Sequence, residues 1–191
     1  MARPASDKRA RLTAAAATLA YTHGLDRTTL GAIAEEADVP QGSVYYYFKT
    51  RDDVGRAVVD SLLTRYRDLM SGWDAEPDPR TRLASYVDMY ARDAEAVAQH
   101  GCPIGSLCLD LRKSAHPLAD DAAAILELTI AWASEQFEAM GFAPQASRAR
   151  ALHLVTGLQG AASLANALGD REALVNEAAH LTRWIHQSQA A

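Results

Sequence analysis

Apolar residues in this chain recur at intervals of three and four positions, which places them on one side of a helix with 3.6 residues per turn. Near the start, Leu12, Ala16 and Leu19 share a face, and further along Leu83 and Val87 do the same. The alternation of apolar and polar residues that is typical of a half-buried strand is not evident between these stretches. The pattern therefore predicts an all-α fold.

Proline, glycine and capping residues divide this pattern into about nine segments. Pro40, Pro103 and Pro144 suit the first position of a helix, and Gly101 suits the position just past its end. Residues 50–53 resemble a capping box with Asp in place of Glu, so a long helix should begin there. We predict helices over residues 6–23, 29–37, 40–47, 50–72, 79–100, 103–113, 117–140, 144–168 and 170–187.

Charge is distributed unevenly along the 191 residues. Residues 1–51 carry seven Lys or Arg against five Asp or Glu, whereas the remainder has a net charge of −7. A slightly basic N-terminal region is compatible with contacts to DNA phosphates. Two cysteines are too few for a disulfide framework, and no stretch approaches the roughly 18 uninterrupted apolar residues of a membrane span. We therefore expect a soluble, cytoplasmic protein without a membrane partner.

The second and third predicted helices are short and are joined by a tight turn, as in a helix-turn-helix whose second helix enters the major groove. The third helix carries Gln41, Gly42 and Ser43 at its tip, where Gln can pair with adenine and Gly allows close backbone approach. Three consecutive tyrosines follow, and because successive helical residues turn by about 100°, at least one of them must face outwards. Tyrosine hydroxyls, Lys49 and the start of the fourth helix are expected to hold phosphates.

Residues 28–39 (TTLGAIAEEADV) and 42–51 (GSVYYYFKTR) resemble the DNA-binding region of the TetR family of repressors, and the likeness spans about residues 6–55. The resemblance implies a homodimer that binds double-stranded operator DNA and a small-molecule effector. It also implies that Ile33, Ala34, Val44 and Phe48 pack a small core. The residues expected to face DNA are Thr29, Gln41, Gly42, Ser43, Tyr45, Tyr46, Tyr47, Lys49 and Arg51.

The sequence departs from the family pattern at three positions in this region. Pro40 stands where the family usually has Ser, Tyr47 where it has His, and Arg51 where it has Lys. The first change removes a capping side chain from the third helix, and the other two keep a polar group that can contact phosphate.

Proteins that resemble the TetR family generally dimerise through their last two helices as a four-helix bundle. The alternative for any one of these residues is the core of the single chain. We expect a DNA-binding domain over residues 1–51 and an effector-binding and dimerisation domain over residues 52–191. The candidate dimerisation residues are Leu152, Val155, Gly160, Leu164, Leu174, Leu181, Trp184 and Ile185.

The fifth to eighth predicted helices are rich in Met and aromatic residues, which suits an apolar or aromatic effector. The same residues could equally pack a core, and that alternative stays open at this point. The candidate effector-binding residues are Tyr86, Met89, Tyr90, Asp93, Leu107, Cys108, Leu111, Trp132, Gln136, Phe137 and Gln159.

The stretch from His100 to Cys108 resembles a TetR subgroup related to LmrA/YxaF and NemR-type regulators. Cys102 is expected at a helix N-terminus, where the dipole favours a thiolate. A thiol-based sensor of electrophiles or redox state that uses Cys102 or Cys108 is therefore an alternative to a reversible effector site, and two structural thiols are another.

An enzyme is not expected, because the chain lacks the nucleophile-elbow, Walker, zinc-protease and Cys-x-x-Cys motifs. No cofactor or metal is expected either. We predict a repressor that leaves a palindromic operator when its effector binds, although the sequence leaves activation open. A helical interaction protein that does not bind DNA is the alternative from a different class.

Overall fold

The computed structural model describes the backbone of residues 5–190 and the side chains of residues 7–190. All regular structure in that part of the chain is helical, which confirms the all-α prediction. A 3-10 helix (Leu25–Arg27) precedes α2. The α-helices are α1 (Ala5–His23), α2 (Leu30–Glu36), α3 (Gln41–Tyr47), α4 (Arg51–Trp73), α5 (Pro79–Arg92), α6 (Ala94–His100), α7 (Pro103–Lys113), α8 (Ala119–Ala139), α9 (Pro144–Leu168) and α10 (Glu172–Gln187).

The predicted helix over residues 79–100 is interrupted once, at Asp93. Its ψ angle is 6°, outside the helical range, although its N–H still donates to the Met89 carbonyl (3.1 Å) and its carbonyl still accepts from Val97 (2.9 Å). When α5 and α6 are counted as one interrupted helix, the described residues form the nine helical segments that the sequence predicts.

Most helix ends follow from local chemistry. The Asp78 carboxylate accepts hydrogen bonds from the backbone of Arg80 (3.2 Å) and Thr81 (3.3 Å), and Pro79 takes the first position of α5. Gly169 ends α9 with a φ of 64°, which glycine adopts without strain. Helix α8 begins two residues later than expected from Pro117, because residues 114–118 form a turn instead.

The chain folds into two compact units. The first comprises the residues up to Arg65 together with Leu107–Ala122, and the second comprises Tyr66–Ser106 and the residues from Ala123 onwards. The division falls within α4, α7 and α8. The sequence analysis places a boundary at residue 51 between a DNA-binding and an effector-binding domain. That boundary concerns function rather than compactness, and it stays a prediction.

Each unit has its own apolar core. In the first unit, α1, α2 and α3 pack together, and Leu12, Ile33 and Val44 are fully buried among them. In the second unit, α10 packs on α5 and α9, and α6 packs on α9. Fully buried residues at these contacts include Leu83, Leu158, Leu174, Leu181 and Ile185.

Among the described residues, no helix has both the length and the apolar character that crossing a lipid bilayer would require. The same residues contain no group of three or more His, Cys, Asp or Glu side chains arranged to hold a metal ion.

Candidate nucleic-acid interface and ligand site

Helices α2 and α3 form a compact pair in the first unit. The Thr29 hydroxyl accepts a hydrogen bond from the Ala32 N–H (3.1 Å) and so caps α2. The chain then turns at Asp38, and Pro40 precedes α3 without a capping side chain. The predicted small core is confirmed, since Ile33, Ala34, Val44 and Phe48 are all buried.

The tyrosines of α3 divide between surface and core. Tyr46 is 74% exposed and Tyr45 is 51% exposed, whereas Tyr47 is half-buried with its ring edge-on to that of Tyr46 at 5.0 Å. The Lys49 ammonium lies 5.8 Å from the centre of the Tyr46 ring. Helix α3 therefore presents two phenol groups and a cation to solvent, and these groups can bind phosphate oxygens.

The tip of α3 carries Gln41 and Gly42, both exposed. The Gln41 amide nitrogen lies 3.6 Å from the position that a Cβ on Gly31 would occupy, so Gln41 extends towards the start of α2. At Gly42, no described atom outside its own helical turn lies within 4 Å of an added Cβ. The protein itself therefore has no steric need for glycine there. Ser43 is half-buried and its N–H donates to the Pro40 carbonyl (2.8 Å).

The backbone amides just before α4 are less available to a phosphate than the sequence predicts, because a side chain of the protein already binds them. The Asp53 carboxylate accepts hydrogen bonds from the backbone of Lys49 (2.8 Å) and Thr50 (2.9 Å), and the Thr50 hydroxyl accepts from the Asp53 N–H (3.1 Å). This is the capping box that the sequence predicts. The backbone donors of Thr50 and Lys49 hold the pKa of Asp53 below its ordinary value of 3.8.

Arg51, which the sequence assigns to DNA, has a partner within the protein. Its guanidinium donates to the backbone carbonyl of Asp26 and lines a cavity of about 210 Å³ with Leu25, Thr28 and His116. The side chain is nevertheless exposed. A phosphate contact by Arg51 stays a prediction, and the bond to Asp26 adds a framework role.

The second unit contains a cluster of four aromatic rings, which we call the aromatic cluster: Trp73, Tyr86, Tyr90 and Trp132. Ring centres lie 5.3 Å apart for Trp73 and Trp132, 5.8 Å for Trp73 and Tyr86, and 5.5 Å for Tyr86 and Tyr90. The Trp132 indole N–H donates to the Asp74 carboxylate (2.9 Å). The rings are inclined to one another by 48–85°, and Tyr86, Tyr90 and Trp132 are buried, so the cluster offers ring edges and faces from within the core.

A polar group of side chains adjoins the aromatic cluster. The Gln159 amide donates to the Tyr90 hydroxyl (2.8 Å) and to the Cys102 sulfur (3.4 Å). The Tyr90 hydroxyl also lies 3.7 Å from that sulfur, and the Gly105 N–H donates to it at 3.5 Å. A Cβ at Gly105 would stand 2.3 Å from the side-chain amide oxygen of Gln159, so glycine leaves room for that side chain.

The Tyr86 hydroxyl is buried and has no hydrogen bond of good geometry among the described residues. Burial raises its pKa, although the neighbouring Tyr90 hydroxyl opposes the shift. Burial also raises the pKa of Tyr90. Both groups are therefore neutral hydroxyls at physiological pH, and Tyr86 has a proton to donate. A buried donor without an acceptor is costly, and a ligand oxygen would satisfy it.

The other predicted effector residues are dispersed. Met89 is buried on α5, while Asp93 is exposed at the α5–α6 break. Gln136 accepts a hydrogen bond from Arg82 (3.1 Å), and the Phe137 ring contacts Phe142 and Trp184. The remaining three, Leu107, Cys108 and Leu111, belong to the first unit.

Sequence reasoning missed Trp73 as a member of the cluster. Tyr66, Met70 and Trp73 follow at intervals of four and three, and the first two are buried. That spacing would have placed Trp73 on the inner face of α4. Its outer side borders an open groove of about 460 Å³ that Ser85, Asp88, Ala91 and Arg92 complete.

Helix α9 exposes an apolar face. Leu152, Leu164 (52% exposed) and Leu168 (65% exposed) lie on it with Gly160, where no described atom beyond the helix itself is within 4 Å of an added Cβ. The other predicted dimerisation residues are placed differently. Val155, Leu174, Leu181 and Ile185 are buried inside the protomer, and Trp184 is half-buried against His153 and Phe137.

Two family models match the chain. The model described as bacterial regulatory proteins of the tetR family matches residues 12–58. The model described as the C-terminal domain of LmrA/YxaF-like transcriptional regulators matches residues 79–180, more than half of the chain.

Curated relatives include the transcriptional regulator TtgR of Pseudomonas putida, 34% identical over 74 residues that cover 39% of this chain and 35% of TtgR. The repressor NemR of Escherichia coli is 28% identical over 120 residues, which cover 60% of this chain and 57% of NemR. The chain thus spans about half the length of the curated relatives it matches, or less.

Solved structures share the fold over nearly the whole chain. A TetR regulator from Legionella pneumophila superposes with a TM-score of 0.82 at 20% identity, covering 98% of both chains. Escherichia coli NemR in its reduced form gives a TM-score of 0.72 at 21% identity, covering 92% of this chain and 96% of NemR.

Proposed function

Because the chain belongs to the TetR family of regulators, in its LmrA/YxaF-like group, we propose that it is a repressor that leaves its operator DNA when a small effector binds. It acts in the cytoplasm as a homodimer on a palindromic operator. DNA binding is supported by the exposed pair Tyr45 and Tyr46 on α3, with Lys49 beside them just after the helix. Neighbouring exposed aromatic side chains form a surface patch of the kind that marks an interaction site.

The first test measures operator binding. Fluorescence anisotropy with a palindromic fragment from the DNA next to the gene should give an affinity that falls steeply with salt. Tyr46→Ala should weaken this binding at least tenfold without lowering thermal stability, because the ring packs little against the protein. Glu127→Ala, on the outer face of α8, is the matched surface control. A wild-type protein that binds no DNA at low ionic strength would instead support the interaction-protein alternative.

For the effector, we propose a neutral, largely aromatic molecule with one acceptor oxygen. The aromatic cluster supplies apolar contacts from ring edges and faces, and the buried Tyr86 hydroxyl, which has no partner of good geometry among the described residues, supplies a donor. No Lys, Arg, Asp or Glu is among the buried residues of the described chain, so a charged ligand would find no buried countercharge. Neutral phenols, ketones and lactones are the compounds to screen.

An effector should lower operator affinity by about 5- to 150-fold, the range of a typical allosteric coupling. Tyr86→Phe should reduce the potency of an effective compound while leaving operator affinity without effector unchanged. Equal operator affinity in the presence and absence of every compound that binds the protein would contradict this part of the proposal.

For the dimer, we propose that the exposed face of α9 defined by Leu152, Gly160, Leu164 and Leu168 contacts a second copy. An apolar stripe with a glycine at its centre suits close helix packing. The buried residues of α10 support this face from behind. Leu164→Glu should shift sedimentation towards the monomer, whereas Leu109→Glu, an exposed leucine on α7, should not.

A second candidate function is favoured by the surroundings of Cys102. Its sulfur accepts hydrogen bonds from Gln159 (3.4 Å) and Gly105 (3.5 Å), and these contacts hold the thiol beside the Tyr90 hydroxyl. Addition to an unsaturated ketone would form a carbon–sulfur bond at the β-carbon, break the carbon–carbon π bond and deliver the thiol proton to the α-carbon. N-ethylmaleimide should then release DNA from the wild type and from Cys108→Ser, but not from Cys102→Ser. Equal release from all three proteins would remove this candidate.

A further inference from the structure

Arg11 of α1 reaches the turn between α2 and α3. Its guanidinium donates to the backbone carbonyl of Ala37 and, at 3.0 Å, to that of Asp38. It also lies 3.6 Å from the Asp38 carboxylate. We propose that Arg11 is a positioning residue that sets the angle of the recognition helix α3, and that it does not contact DNA phosphate. This inference rests on the proposed DNA binding.

The turn between α2 and α3 depends on hydrogen bonds from a residue outside it. Asp38 has a φ of 50°, in the left-handed region that a residue with a side chain adopts at a cost. Its N–H donates to Glu35 (3.0 Å) and that of Val39 donates to Ala34 (3.0 Å), so the amides of the turn are satisfied. The carbonyls of Ala37 and Asp38 accept hydrogen bonds from Arg11, a residue of another helix.

The chemistry of arginine suits this position. The last carbonyls of a helix carry a partial negative charge, which a cation stabilises. A planar guanidinium has several N–H groups in fixed directions, so one side chain can hold two carbonyls and face a carboxylate together. Since α2 has only seven residues, it has little stability of its own, and its end depends on such tertiary contacts.

From sequence, Arg11 counts as one of the basic residues near the DNA-reading region, and a phosphate contact is the obvious assignment. The structure argues against it, because three acceptors already surround the guanidinium and only 28% of the side chain is exposed. A phosphate contact would require Arg11 to release the turn that orients α3. Lys49, by contrast, is exposed and stands over the Tyr46 ring.

The two roles differ in their response to salt. A cation that contacts phosphate releases counterions, so its removal lowers the slope of log affinity against log salt by about one and weakens all DNA sequences alike. A positioning residue leaves the slope unchanged and weakens the operator more than unrelated DNA. We expect Arg11→Ala to lose at least tenfold in operator affinity with an unchanged slope. Lys49→Ala should lower the slope by about one.

Two further variants separate positioning from unfolding. Arg11→Lys keeps the charge but not the planar set of donors, and it should lie between wild type and Arg11→Ala. Asp38→Gly relieves the left-handed strain, because glycine adopts a positive φ freely. Introduced into Arg11→Ala, it should recover part of the ratio of operator to non-operator affinity. A slope that falls by about one in Arg11→Ala, with that ratio unchanged, would overturn the proposal.

Amide hydrogen exchange tests, without DNA, whether Arg11 stabilises the turn between α2 and α3. In Arg11→Ala the amides of Asp38 and Val39 should exchange at least tenfold faster, while those of α10 should not change. Unchanged exchange at Asp38 and Val39 would overturn the inference. If wild-type protein bound no DNA, the proposed function would fail, and the exchange result would still decide whether Arg11 holds the turn.

Discussion

The side-chain amide of Gln159 on α9 donates a 2.8 Å hydrogen bond to the hydroxyl of Tyr90 on α5, 69 positions away in the sequence. Because Tyr90 is buried, its hydroxyl depends on protein partners, and Gln159 is the one closest to ideal geometry. This bond joins two helices of the second unit at the edge of the aromatic cluster.

Gln159→Leu should therefore destabilise the protein by about 1–2 kcal/mol, because it leaves a buried hydroxyl without its donor. The same substitution should cost less in a Tyr90→Phe background, where no hydroxyl remains to be satisfied. Urea denaturation of the four proteins in this double-mutant cycle measures the coupling directly. Additive effects would mean that the bond contributes nothing to stability.

Gly160 offers a test of the dimer face that separates folding from assembly. It lies inside α9, exposed, with room for a methyl group in the protomer. Gly160→Ala should favour the helix by about 0.5–1 kcal/mol but weaken the dimer, because the methyl group would intrude between close helices. Sedimentation equilibrium measures the second effect.

The matched control for Gly160 is Gly72→Ala on α4, where the space around an added Cβ is equally open. This variant should leave the dimer constant unchanged. Identical dimer constants for all three proteins would place the interface elsewhere.

Gly42 on α3 allows a similar test, in which the effect of a substitution on folding is separated from its effect on DNA binding. Since nothing in the described protein restricts a side chain there, Gly42→Ala should leave the thermal midpoint unchanged or slightly raised. Operator affinity should nevertheless fall at least tenfold, because the added methyl group would separate the tip of α3 from the base edges. Anisotropy titration and thermal denaturation of the same sample measure both effects. Undiminished affinity would show that the tip does not approach DNA closely.

The capping box of α4 predicts a dependence of stability on pH. The pKa of Asp53 lies below 3.8 in the folded protein because the Thr50 and Lys49 amides stabilise the charged form. Its contribution to stability is therefore fully present above the unfolded value of 3.8 and is lost as the pH falls through the folded value. Thermal denaturation should show Asp53→Ala to be less stable than wild type at pH 7.

This difference between Asp53→Ala and wild type should shrink as the pH is lowered below 3.8. The exposed Asp68 on the same helix controls for the loss of a charge alone, since Asp68→Ala removes no capping bond. A stability gap for Asp53→Ala that stays constant down to pH 2 would contradict the capping role.

Local features of the sequence predicted a large part of the fold. Helix limits agreed within a few residues where Pro, Gly or a capping side chain set them, as at Pro40, Asp53 and Gly169. Apolar spacing placed Leu12 and Leu83 on helix faces that are buried, because a helix face is a property of neighbours in the chain. The family resemblance identified Ile33 and Val44 as core. The break at Asp93 escaped this reasoning, since no proline or glycine marks it.

Side-chain partners at long range were not predictable in the same way. The sequence assigned Arg51 to DNA and gave Arg11 no partner, yet both donate to backbone carbonyls more than twenty residues away. Likewise, Leu164 and Leu181 look alike as apolar residues of the last two helices. One is half-exposed and the other fully buried, and this difference depends on which helices pack together.

By itself, the sequence determined the helical fold, the capped helix ends and the outward tyrosine on α3, because periodicity, dihedral preference and capping act over a few residues. Only the tertiary structure decided the partners of Arg11, the aromatic neighbours of Trp73 and the donors around Cys102. Those depend on distances between helices that are remote in sequence, where burial and hydrogen-bond geometry select one partner among many of the same chemical type.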